Sequence, residues 1–173
     1  MTPVDTASNS DAAVRLADFA DSDMFARLFR EGMDLVEETA NYLDGPGRED
    51  AKRLGRSAAL SYAAQSMTLT TQLMQCASWL LTQRAVGEGE MSAVEASQER
   101  YRLTPSRLKD ANWPEGEEPC PAHLAELTTR AKALHERLTR LDRSLFDGEG
   151  DSSSPGDNPV ASQLSMLNQA FGR

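Results

Sequence analysis

The sequence predicts an all-α protein: an antiparallel three-helix bundle with a very long central helix, a disordered N-terminal arm and a flexible C-terminal tail. Three observations carry this. Residues 57–83, SAALSYAAQSMTLTTQLMQCASWLLTQ, contain no charged residue, no Pro and no Gly, and their Ala, Leu, Met and Gln favour helix. The segments on either side repeat Leu, Phe or Val at spacings of three and four. Between these stretches Gly, Pro, Ser and Asp gather in clusters that stop helices.

Composition narrows the functions. The 173 residues suffice for one core, and no shift in composition divides them. Eighteen Lys and Arg against 27 Asp and Glu leave a net charge of −9, which argues against nucleic acid as a main partner. The two cysteines, Cys76 and Cys120, suit free thiols in a reducing compartment, so the expected location is cytoplasmic.

Residues 1–20 lack a basic, apolar leader and read as a disordered acidic arm. The bundle is expected over 21–147. Helix 1 spans about 22–44, with Ser22 or Asp23 as its cap and Asp44-Gly45-Pro46-Gly47 as its stop. Its apolar stripe is Phe25, Leu28, Phe29, Gly32, Leu35, Val36, Thr39 and Leu43.

Helix 2 spans about 48–86 and would be roughly 58 Å long. One seam is Leu54, Ala58, Tyr62, Gln65, Leu69, Leu73, Cys76 and Leu80; a second, spaced by sevens, is Leu60, Met67, Met74 and Leu81. Two seams imply two sets of neighbours. Lacking a charged face, this helix calls for cover on most of its circumference, and a small chain can hardly wrap it alone. A second copy is the simplest cover, with Met67, Thr71, Met74, Ser78 and Leu81 as one candidate dimer seam, the alternative being that helices 1 and 3 occupy that line. A membrane span is not expected, because Ser, Thr and Gln are too frequent to face lipid.

The connector is predicted to hold one short helix over about 92–102, opened by a capping box of Ser92 and Glu95. Helix 3, about 121–146, starts at Pro121 and carries Leu124, Leu127, Ala131, Leu134, Leu138, Leu141 and Leu145 as a coiled-coil seam. The tail, 148–173, is an acidic Gly/Ser/Pro linker leading to an amphipathic segment, 160–171. There Val160, Leu164, Leu167 and Phe171 share one helical face and are expected to dock on a partner, the alternative being that they fold back over apolar surface of the chain's own bundle.

Catalytic chemistry is not expected. His123 and His135 have no ligand spacing around them and read as solvated helix residues, so no metal is expected. Asp34, Glu37, Glu38 and Asp44 alternate with the core stripe and read as its solvated face. No nucleophile elbow, P-loop or dinucleotide glycine pattern occurs, and no cofactor is expected. Arg48, Lys52, Arg53 and Arg56 form a basic cluster that reads either as local ion pairs or as a docking patch for an acidic partner surface.

The strings EGMDLVEETANYLDGPGRED at 31–50 and SYAAQSMTLTTQLMQCASWLLTQRAVGEGEM at 61–91 closely resemble the RcdA family of alphaproteobacteria. The tail form DNPVASQLSMLNQAF at 157–171 carries the same resemblance. The resemblance implies a dimeric three-helix bundle with a mobile C-terminal tail, acting as a non-enzymatic adaptor for the ClpXP protease. It further implies a protease primed by a CpdR-like protein, and cargo such as CtrA bound directly or through a PopA-like effector. Cell-cycle regulators delivered in the cytoplasm, with concentration at a cell pole, complete that expectation. The rival reading is a dimeric helical scaffold or polar localisation factor not coupled to proteolysis.

Overall fold

The computed structural model describes residues 6–103, 105, 109 and 112–147, with side chains from residue 13 onward. Its elements are α1 (Thr6–Ala20), α2 (Asp23–Asp44), α3 (Pro46–Lys52), α4 (Arg56–Gly87), α5 (Ala93–Ala96), a 3-10 turn (Glu99–Tyr101) and α6 (Ala122–Phe146). All are helical, and the long helices α2, α4 and α6 form the bundle.

The apolar stripes become the core. On α2, Phe25, Leu28, Gly32, Leu35 and Thr39 are buried, joined by Tyr42. On α4, the first seam from Ala58 to Leu80 is buried, and on α6 so are Leu124, Leu127, Ala131, Leu134, Leu138 and Leu145. Gly32 lets the helices close up, since a Cβ there would run into the Leu80 side chain.

Pairings between helices give their sense. Against α2, both other helices run antiparallel: Tyr42 lies near His123 and Glu38 meets Arg130, while Arg84 stacks over Phe29. Between themselves α4 and α6 run parallel, because Gln65 bonds Thr128 and Trp79 bonds Asp142. The connector between Glu88 and Pro121 makes this possible, since it retraces the length of α4 before α6 begins.

Three boundaries differ from the sequence reading. Residues 1–20 were expected to be a disordered arm, but the chain is helical from Thr6 and buries Leu16 and Phe19. Leu16 and Phe19 are three apart, one helical turn, and Phe19 packs on Phe25 and Trp79 at centroid distances of 5.4 and 6.2 Å. Ser22 then caps α2, accepting from the Phe25 amide at 3.1 Å.

The second difference is the break in helix 2. The chain leaves helix at Arg53–Gly55, so α3 and α4 replace the single expected helix 48–86. Gly55 has no capping side chain; instead Glu117 and Glu118 reach back from the connector. Their carboxylates accept from the Ala58 amide at 2.9 Å and the Gly55 amide at 3.2 Å. Two anions at a helix N-terminus satisfy free amides and the helix dipole together.

Third, the expected short helix 92–102 is divided. Ser92 does cap its start, accepting from Glu95 N at 3.2 Å, but α5 ends at Ala96 and a 3-10 turn follows. His135 also departs from expectation: it is buried, not solvated, and burial pushes its pKa down.

Candidate interaction surfaces

Three surface features and one buried cluster stand out. The first is the outer line of α4. Leu60, Met67, Met74 and Leu81 are 68%, 72%, 68% and 52% exposed, and Thr71 and Ser78 between them are exposed too. The second seam read from the sequence is therefore not covered by another helix among the described residues. Seven-residue spacing keeps the large side chains in file, with small or polar residues between them. Two clefts flank this ridge. One, of about 290 Å³, runs between α2 and α4 and is lined by Val36, Thr39, Leu43, Leu73, Met74 and Ala77. The other, about 400 Å³, is lined on one side by Thr71, Met74 and Ser78 and on the other by Arg100, Tyr101 and Arg102.

The second feature is the basic cluster. Arg48 and Lys52 lie on α3, Arg53 in the break and Arg56 at the start of α4, all exposed. Arg48 pairs with Asp44 at 3.1 Å and Lys52 with Glu49 at 2.7 Å. Such exposed pairs within one or two turns of each other are easily exchanged for an outside partner.

The third is the acidic flank of α2. Asp34 and Glu37 are exposed, while Glu38 bridges to Arg130 at 2.8 Å and to His123 at 3.3 Å. Burial pulls the Glu38 pKa up, but the hydrogen bonds from Arg130 and His123 outweigh it and hold the carboxyl below its usual range. Arg137 similarly pairs with Glu31. The flank thus fastens α2 to α6.

The fourth was not anticipated from the sequence. Asp142, buried on α6, accepts from the Trp79 indole at 2.8 Å, from Arg102 Nε at 2.8 Å and from the Leu103 amide at 3.3 Å. Arg102 also bonds Asp147 at 2.7 Å and stacks over Phe146 at 4.6 Å. Burial would lower the arginine's pKa, but Asp147 and Asp142 raise it overall. This clamp ties α4, the connector and the end of α6 at one point.

Cys76 and Cys120 are free thiols, and burial pushes the Cys76 thiol up to about 12, where it stays protonated and unreactive. Among the described residues, no group of three or more His, Cys, Asp or Glu could hold a metal ion. Nor, among them, is any helix long and apolar enough to cross a membrane. The tail residues Val160, Leu164, Leu167 and Phe171 lie outside the described residues.

Three comparisons place the chain among known proteins. The sequence profile of a family described as "Protein of unknown function (DUF1465)" matches residues 16–171. No curated protein matches the chain. Among solved structures, the crystal structure of RcdA from Caulobacter crescentus CB15 is similar, with 50% sequence identity and a TM-score of 0.63, covering 76% of this chain and 98% of that one. With half of its aligned residues identical to RcdA, and the family profile spanning nearly all of it, the chain belongs to the RcdA family, DUF1465.

Proposed function

We propose that the protein is a non-enzymatic adaptor that delivers cell-cycle regulators to the ClpXP protease through protein–protein contacts. The observation that carries this is the 50% identity to RcdA over nearly the whole of that chain. The exposed, uncharged line along α4 supports it, because a rigid helical body with an open apolar ridge can hold a partner.

In this reading the protein is a homodimer. It works in the cytoplasm, concentrated at a cell pole, with a CpdR-like primer on the protease. Cargo such as CtrA binds directly or through a PopA-like effector. Val160, Leu164, Leu167 and Phe171 serve as partner contacts on a tether, which raises the local concentration of cargo at the protease. Arg48, Lys52, Arg53 and Arg56 offer a second, electrostatic contact.

The test is degradation of a CtrA-type regulator by purified ClpXP, with the CpdR-like and PopA-like proteins present. It is run without the protein, with the full chain, and with a chain ending at Gly156. Faster degradation with the full chain and less with the shortened one is expected. No acceleration under any of these conditions would move the weight to a scaffold or localisation factor.

A further inference from the structure

We propose that the cavity between α6, α4 and Pro105 of the connector binds a small phosphate monoester that also carries hydroxyl groups, with Arg140, Arg143 and His135 holding the phosphate. The proposal rests on neither the adaptor reading nor the dimer.

The cavity measures about 440 Å³, within the range of small-molecule sites, and most of its lining comes from one face of α6. His135, Thr139 and Arg143 form a row there at intervals of four, beside a second row that includes Glu136 and Arg140. Gln72 of α4 lies on the other side.

The bundle concentrates uncommitted positive charge at this point. Arg130 and Arg137, earlier on α6, are taken up by Glu38 and Glu31 of α2. Arg140 and Arg143 are exposed and form no ion pair among the described residues. In a chain of net charge −9, two such neighbours on the lip of a cavity make a local site for an anion. The guanidinium fork suits phosphate in particular, whose oxygens accept paired N–H bonds.

The floor of the cavity gives a second, independent sign. His135 is only 2% exposed, yet its Nε2 has no hydrogen-bond partner. The Thr139 hydroxyl donates to the His135 carbonyl at 2.8 Å and lies 3.5 Å from Nδ1, too far to fix which ring nitrogen carries the proton. An unpaired buried ring nitrogen is costly, and a group from outside the chain can satisfy it. With its proton on Nε2, the ring donates to a phosphate oxygen that has entered past the two arginines. Glu136, on the same rim, repels a polyanion but accepts from a hydroxyl. One phosphate on a hydroxylated body therefore fits better than a chain of phosphates.

Ribose 5-phosphate is the probe, titrated in 0.15 M NaCl into the full chain with its histidines labelled with nitrogen-15. The chain has two histidines, and His123, which faces Glu38 on α2, is the internal reference. The His135 ring signals should move and saturate at or below about 1 mM ligand, while those of His123 stay in place. Ribose alone should move neither. An Arg140→Ala, Arg143→Ala double variant should weaken binding about ten-fold or more. An Arg15→Ala, Arg27→Ala double variant, with the same change of charge at exposed positions on α1 and α2, should bind as the parent does. The absence of a saturable shift at His135 would overturn the proposal. So would equal weakening in the two double variants, which would trace binding to overall charge, or a response to ribose as large as that to its phosphate.

Discussion

The indole of Trp79 on α4 donates to the carboxylate of Asp142 on α6 at 2.8 Å, with both side chains almost wholly buried. The same carboxylate receives Arg102 and the Leu103 amide, so three separate parts of the chain depend on one acidic group. Asp142→Ala leaves two buried donors unpaired and Arg102 with Asp147 as its remaining carboxylate, and is expected to cost about 2–4 kcal/mol. Trp79→Phe removes a single donor and should cost about 1–2 kcal/mol. Urea unfolding of both single variants and the double variant tests the link. The combined loss should fall short of the sum, and additive losses would mean that the two side chains act independently.

Helix α1 is part of the core, not an appendage. Leu16, 1% exposed, should cost about 2–4 kcal/mol when cut to Ala, a loss readable from the urea midpoint. Val14→Ala, on the exposed side of the same helix, should change the midpoint little. Equal, small effects at both positions would return the arm to the disordered state expected from its composition.

Gly47 is packed at the point where α3 passes the end of α2. A Cβ there would lie 2.5 Å from the Tyr62 hydroxyl and 2.8 Å from the Tyr42 carbonyl oxygen. Helix propensity alone favours Gly47→Ala by up to about 1 kcal/mol. Steric overlap with a backbone atom opposes it at about 1–3 kcal/mol, so net destabilisation is expected. A rise in melting temperature would show that propensity wins and that the close approach can relax.

His135 gives the fold a dependence on pH. Its hydrogen-bonding neighbour is Thr139, which donates to the His135 carbonyl at 2.8 Å, and burial depresses the ring's pKa from its ordinary 6.5 despite the nearby Glu136. Above that value neither the folded nor the unfolded chain holds the proton. As pH falls through it, the unfolded chain takes up the proton and the folded chain does not, so stability declines. His135→Gln should flatten this decline between pH 7.5 and 5.5 in urea midpoints. Glu38, whose carboxyl is held low, acts in a more acidic window and is common to both proteins. Parallel curves would show that His135 carries no part of the effect.

The stripes were legible because they are periodic. Phe25, Leu28, Gly32 and Leu35 on α2, and Leu124, Leu127, Ala131 and Leu134 on α6, can be assigned from spacing alone, and all are buried. The Met67–Leu81 line was equally visible as a line, but spacing cannot tell whether its neighbour is inside or outside the protomer. Asp142 was unreadable for a different reason. It looks like one more charged residue on a charged helix, and only Trp79, Arg102 and Leu103, about 40 to 60 residues earlier, make it a core group. His135 likewise sits one position after Leu134, and whether that flank is covered depends on where the connector runs. The parallel course of α6 beside α4 has the same origin, since it is decided by a connector without strong periodicity.

The start of α4 has a consequence for the order in which the chain can be finished. Gly55 and Ala58 receive their caps from Glu118 and Glu117, which are made about 60 residues later. On a ribosome, the stretch from Pro46 to Gly87 emerges with no carboxylate to hold its break, and local preference favours one unbroken rod. The carboxylates that close this helix start therefore arrive only after the whole of α4 has been made, so these two contacts are late additions in biosynthesis.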